Sequence, residues 1–216
     1  MSSLIFYTDK DEALIATDTL ATSPDGQPFS FTTKAYIVPH LKLIIAGTGA
    51  GGFLSKWFLL INDRAVFPGI DFLNNKTARY LGPMWSSYKQ EFSAEDQLTT
   101  TVYHFGFSEI TNVIKSFAYR STNGFQSESI PYGLGTKPPI NITAEYNLPQ
   151  DLRSMMDTQR TNEESRPLNE KVFIGGEIQV HHLTHDGFHV YTLDRFEDYE
   201  SDRNAIYKVL KASTKD

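Results

Sequence analysis

A hydroxyl at Ser2, a carboxylate at Asp18, an amine at Lys34 and a backbone N–H at Gly47 are groups from which an acyl-transfer site can be assembled. Sixteen residues separate Ser2 from Asp18, and sixteen more separate Asp18 from Lys34. Groups so far apart in sequence serve one reaction only if the chain folds back on itself at regular intervals.

Two hairpins provide the return. The apolar runs Leu4–Tyr7 and Ala13–Asp18 flank the polar break Thr8–Glu12, a hairpin pattern. With the turn centred on Lys10, Ser2 lies opposite Asp18, since residues equidistant from a turn face each other. A second hairpin is expected from Ala35–Val38 and Leu43–Ala46, turning at Pro39-His40-Leu41-Lys42. Pairing about the midpoint of His40 and Leu41 sets Lys34 opposite Gly47.

The stretch Ala13–Thr22 resembles the strand and Asp-containing motif of proteasome β-type subunits, members of the N-terminal-nucleophile hydrolase superfamily. Lys34 and Ala46-Gly47-Thr48-Gly49 resemble that family's lysine and oxyanion-hole glycine, with the glycine one residue early. The family spaces its nucleophile, Asp and Lys in the same way. On these motifs the chain is identified as similar to a divergent, bacterial-type proteasome-like protein. The resemblance implies an α+β fold, a four-layer αββα sandwich with two antiparallel sheets between helix layers, in a single domain over 1–216. It implies cleavage of a peptide or other amide bond by Ser2 after removal of Met1, with no cofactor and no metal. Self-association into a ring or other homo-oligomer is also implied, while an ATPase partner is left unidentified.

The chemistry of such a site follows from its groups. A small second residue normally lets the initiator methionine be removed, and the exposed α-amine, with an ordinary pKa of about 7.7–8.0, is a usable base. Ser2 then supplies nucleophile and base together. Lys34 would favour the alkoxide and the neutral amine, Asp18 would hold the Lys34 ammonium, and the Gly47 N–H would face the developing oxyanion. If Met1 is retained, the amine lies one residue upstream and Ser2 has no base of its own. Three departures bear on this. Leu20 stands where the family usually has Arg, Leu134 stands between Gly133 and Gly135 where the family has Ser, and the later Asp-x-x-Ser-Gly-Gly appears as Lys171–Gly176. Supporting groups hold the geometry that reacting groups need. A catalytically inactive subunit with an assembly or binding role is therefore the second reading, and hydrolysis of a small amide the third.

Composition narrows the field. A chain of 216 residues, 40% hydrophobic and 21% charged, suits one generous globular domain. A net charge of −6 argues against a nucleic-acid surface. The absence of cysteine excludes disulfides, thiolate zinc sites and a Cys nucleophile. No charged-then-apolar leader opens the chain, and no apolar run reaches the roughly 18 residues of a membrane span; a cytoplasmic protein with no membrane partner is expected.

Further along, Thr22–Pro28 reads as a surface loop and Thr48–Gly52 as a glycine-rich turn lacking the full phosphate-loop pattern. Helices are expected at Phe53–Asn62, at Asp71–Gln90 with a kink or break at Gly82-Pro83, and at Gln150–Arg160 with Pro149 in the first turn. A last helix would be capped by Ser201-Asp202, with Ala205, Ile206, Val209 and Leu210 inside. Strands are expected at Thr99–Phe107, Asn112–Arg120 and Phe125–Ile130, with a loop at Pro131–Pro139 and a polar, mobile segment at Thr161–Pro167. A final hairpin joins Ile178–Leu183 to Phe188–Leu193 through Thr184–Gly187. It carries His181, His182, His185 and His189. With Asp186 as their one neighbouring carboxylate and no cysteine, these read as strand-surface histidines rather than metal ligands.

Overall fold

A computed structural model describes residues 2–23, 25–92, 98–142, 145–168 and 170–213, with side chains described to Lys208. Removal of Met1, and the interior positions expected for Val209 and Leu210, lie outside the described residues.

The first hairpin pairs β1 (Leu4–Thr8) with β2 (Ala13–Asp18). Leu4 faces Thr17, so one step on it is Ser3, not Ser2, that comes opposite Asp18. The turn sets this register. The Asp9 carboxylate accepts the N–H groups of Asp11 (2.8 Å) and Glu12 (2.9 Å), closing a four-residue turn centred between Lys10 and Asp11. Next come β3 (Leu20–Thr22) and β4 (Pro28–Phe31), which pair only with each other. The expected surface loop is thus the tip of a two-stranded ribbon. In the second hairpin, β5 (Ala35–Val38) and β6 (Leu43–Gly49), Ala35 faces Ala46, which puts Lys34 opposite Gly47 as expected.

Helix α1 (Gly51–Leu59) runs into a π-helical turn, Leu60–Arg64, and α2 spans Ile70–Glu91 without a break. Pro83 is exposed on α2, and so is Arg79, whose carbonyl loses its helical partner to the proline ring; water can satisfy it there. Strands β7 (Thr100–Phe107), β8 (Ile114–Arg120), β9 (Ser127–Ser129) and β10 (Gly133–Lys137) follow. Helix α3 (Leu152–Glu164), the hairpin β11 (Glu177–Thr184) and β12 (Gly187–Arg195), and α4 (Tyr199–Ser213) complete the chain.

One five-stranded antiparallel sheet has the order β10-β1-β2-β11-β12, and a second has the order β5-β6-β7-β8-β9. Alternation along the strands sorts apolar side chains into three buried clusters. Leu4, Phe6 and Ile15 meet Ala46, Tyr103 and Phe105 between the sheets. Phe53, Trp57, Leu73 and Trp85 cover the other face of the second sheet. Leu152, Met155 and Met156 of α3 cover Ile5, Ala16 and Val180 of the first.

The α+β class holds, but the four-layer αββα sandwich does not. Among the described residues there are three sheets and four helices, and α4 packs on the ribbon, where Tyr199 stacks on Phe31 at 4.9 Å. The cause lies just after Asp18. The N–H groups of Thr19 and Leu20 both donate to the Gly175 carbonyl, so the chain leaves the first sheet and begins a separate ribbon. Two further expectations change. Pro131–Pro139 contains β10, paired along the whole of β1. Thr161–Glu164 is the last turn of α3, while Pro149 precedes that helix.

Candidate functional site

The start of β1 sets the phase of the site. Successive side chains of a strand point to opposite faces. Leu4 packs between the sheets, and Ser2, two residues earlier, faces the same way into a cavity of about 130 Å³ shared with Lys34, Gly47 and Thr48. Ser3 points the other way, where its hydroxyl donates to Gln159 of α3, and the Gln159 amide donates to the Pro138 carbonyl at 2.6 Å. Gln159 is wholly buried. A buried amide costs free energy unless its hydrogen bonds are made, and here they tie the entering chain to β10 and α3.

Lys34 and Asp18 form an ion pair of 2.8 Å, and neither side chain is appreciably exposed. Lys34 Nζ also donates to the Leu20 carbonyl at 2.7 Å. The first Asp18 oxygen accepts from Lys34 and from the Ser3 N–H (2.9 Å), and the second accepts the Gly175 N–H at 3.2 Å. Burial pushes the Lys34 amine below its ordinary pKa, and Asp18 opposes that shift. An ammonium has three donors, so one remains for the cavity that Ser2 lines.

Backbone groups of the Gly175-Gly176 loop complete the surroundings of Asp18 and Thr19. Besides the Gly175 bonds, the Glu177 N–H donates to Thr19 Oγ1 at 2.8 Å. Gly176 has a φ of +80°, and a Cβ there would lie 2.4 Å from Thr19 Oγ1, so only glycine fits this approach. The sequence marks this loop, Lys171–Gly176, only by the Asp and Ser it lacks, and it marks neither Gln159 nor Thr19 as part of the site.

Gly47 sits at the expected place, but its N–H donates to the Lys34 carbonyl at 3.2 Å and so belongs to the hairpin ladder. The neighbouring start of α1 is open. Its N-cap, Ala50, has no capping side chain. Gly51, in the first turn where N–H groups lack intrahelical acceptors, lines the cavity.

The histidine hairpin lies at the far end of the first sheet. His182 is 2.6 Å from Glu12 and His185 is 3.6 Å from Asp11, so its carboxylate neighbours come from the β1–β2 turn rather than from Asp186. Among the described residues no group of three or more His, Asp or Glu could hold a metal ion, and no helix is long and apolar enough to cross a membrane.

Two antiparallel sheets face one another across a shared core, and the fold is proteasome-subunit-like by its likeness to solved structures. Solved structures share it: an Anbu (Gly-1) mutant from Hyphomicrobium sp. strain MC1 is similar with a TM-score of 0.61 at 14% identity, covering 100% of this chain and 96% of that one. Anbu (ancestral beta-subunit) from Yersinia bercovieri is similar with a TM-score of 0.60 at 12% identity, covering 100% and 95%. No family model matches the chain, and no curated protein does. Identities this low show the fold alone. They overturn the assignment, made on motif spacing, to the proteasome β-type subunits of the N-terminal-nucleophile hydrolase superfamily and to a divergent bacterial-type member of it.

Proposed function

We propose that this chain hydrolyses an amide bond, in a peptide or a small amide, by acyl transfer to Ser2 once Met1 has been removed. The observation that carries this reading is the buried Lys34–Asp18 ion pair opening onto the cavity that Ser2 lines. Burying two charges costs several kcal/mol per ion before their attraction is counted, and a fold gains little from that unless the charge has a use. In the reaction the Ser2 amine takes the hydroxyl proton as Oγ attacks the carbonyl carbon. Lys34 steadies the alkoxide and the neutral amine, and Asp18 keeps Lys34 in place. With the Gly47 N–H held in the ladder, the oxyanion falls to the third Lys34 donor and to the Gly51 N–H. The protonated amine then gives its proton to the leaving nitrogen as the C–N bond breaks, and water, losing a proton to the same amine, attacks the acyl carbon and releases the acid while Oγ regains its hydrogen.

Ser2→Ala should abolish turnover on a panel of peptide and small-amide substrates while the circular dichroism spectrum stays that of the native protein. Full activity in that variant overturns the mechanism. A non-catalytic protein with an assembly or binding role is the second reading. Apolar side chains exposed on the helical side, Leu59, Val66, Phe72 and Tyr80, favour self-association. The intact mass separates the two, because a native chain that keeps Met1 has its amine in the wrong place. The proposed setting is the cytoplasm and the proposed assembly a homo-oligomer; cell fractionation and light scattering test them.

A further inference from the structure

Beyond Ser2, the space between the sheets carries charges that the reaction above does not use. Lys137 lies opposite Leu4 on β10, and directly opposed residues of an antiparallel pair share a face. Leu4 packs between the sheets, so Lys137 is on that same face, at the exposed edge of the sheet. Across the gap, Arg120 on β8 is two residues past Ala118, which also packs between the sheets. Thr48, Thr101 and Arg120 stand directly opposite one another across β6, β7 and β8, on the face that Ala46, Tyr103 and Ala118 turn between the sheets, and Thr48 lines the Ser2 cavity. A chain of polar groups thus runs from the cavity to Arg120.

The charges there do not cancel. Arg120 is paired with Glu128 at 3.0 Å, and Glu128 also accepts from Asn123 at 2.6 Å. Lys137 has no ion pair among the described residues. Burial and the Arg120 charge together hold its amine below the ordinary value. Among the described residues these two cations and the one carboxylate paired with Arg120 leave one net positive charge on the inner face of the sheets, in a chain whose net charge is −6.

We propose that Lys137 and Arg120 form an anion-recognition subsite beside Ser2, on the side of Thr48 away from Lys34, which takes a carboxylate of the substrate. This rests on the hydrolase reading for its meaning but not for its test. The substrates it selects are peptides or amides with a free carboxylate near the bond that is cut, either an acidic side chain or a chain terminus.

Binding to the Ser2→Ala protein is measured by calorimetry with three probes: acetyl-Ala-Ala with a free carboxylate, its amide, and acetyl-Glu amide. At least one carboxylate probe should bind about tenfold tighter than acetyl-Ala-Ala amide, the factor expected of one charge-assisted hydrogen bond. The preferred probe tells a terminal carboxylate from a side-chain one. Lys137→Met, which keeps the apolar stem of the side chain and removes its charge, should remove that preference and leave amide binding as it was, with the circular dichroism spectrum unchanged. Equal or undetectable binding of the three probes, or a preference that survives Lys137→Met, overturns the subsite. Loss of catalysis in Ser2→Ala bears only on the hydrolase reading.

Discussion

Removing the Lys34 amine while leaving Asp18 in place tests the physical basis of the site. In Lys34→Met the Asp18 carboxylate, with no exposed surface, would keep only the Ser3 and Gly175 N–H groups, at 2.9 and 3.2 Å. Breaking a buried ion pair by deleting one partner costs about 3–5 kcal/mol, because the other charge stays behind uncompensated. In a domain of this size each kcal/mol moves the midpoint by about 2–4 °C, so the melting temperature should fall by about 10 °C. Adding Asp18→Asn removes the orphaned charge and keeps an acceptor for the Ser3 N–H. The double variant should regain about 2 kcal/mol of the loss. Urea unfolding followed by circular dichroism reads all four proteins of the cycle. A Lys34→Met chain within about 1 kcal/mol of the parent would show that water reaches the pair, and the argument from a buried, purposeful charge would fail.

Two further outcomes are expected. His104, whose Nε2 accepts the Trp57 indole N–H at 2.9 Å, is pushed by burial down to about 3, and His181 likewise to about 4. In the unfolded chain both protonate near 6.5, so the unfolded state binds more protons below that pH. Their stabilisation is complete above pH 6.5 and is lost as pH falls toward 4, by up to about 2.7 kcal/mol per unit for the two together; urea midpoints that stay level from pH 7 to 4.5 would refute it. Gly176→Ala should cost about 2 kcal/mol or more and loosen Asp18, because strain at positive φ adds to the clash with Thr19. Gly124→Ala, at a φ of +69° with open space around it, should cost only about 1 kcal/mol. Equal melting shifts in the two variants would rule out the packing role of Gly176.

Much of the first two hairpins is legible in the sequence because local pattern fixes them: alternating apolar runs, a polar break and a Pro-containing turn. The one-residue error at Ser2 came from the turn, where Asp9 captures two backbone N–H groups and moves the centre of pairing past Lys10. Strand β10 is hidden because Gly135, which reads as a loop residue, answers to tertiary contact: a Cβ there would lie 2.2 Å from the ring of Phe6 on β1. The end of α3 is hidden for a related reason. Glu163 belongs to a polar run, yet it is buried and its carboxylate accepts the Val172 N–H at 2.8 Å and pairs with Arg166. The carboxylates beside the histidine hairpin were missed because Asp11 and Glu12 are brought there by the sheet, from the other end of the sequence. Likewise nothing in the sequence near Lys137 announces that Arg120 will stand across from it.

On the proposed reading of Ser2 as nucleophile, the opposite aim of the two adjacent serines would make maturation a matter of parity. A shift of one residue along a strand exchanges its faces, so an aminopeptidase that took one residue too many would leave an amine on Ser3, with a hydroxyl turned behind the sheet toward Gln159. One that took none would set the amine a full residue short. The same arithmetic would silence a recombinant chain carrying an affinity tag ahead of Ser2, however well folded, and would let a cell hold the protein dormant simply by withholding a single cut.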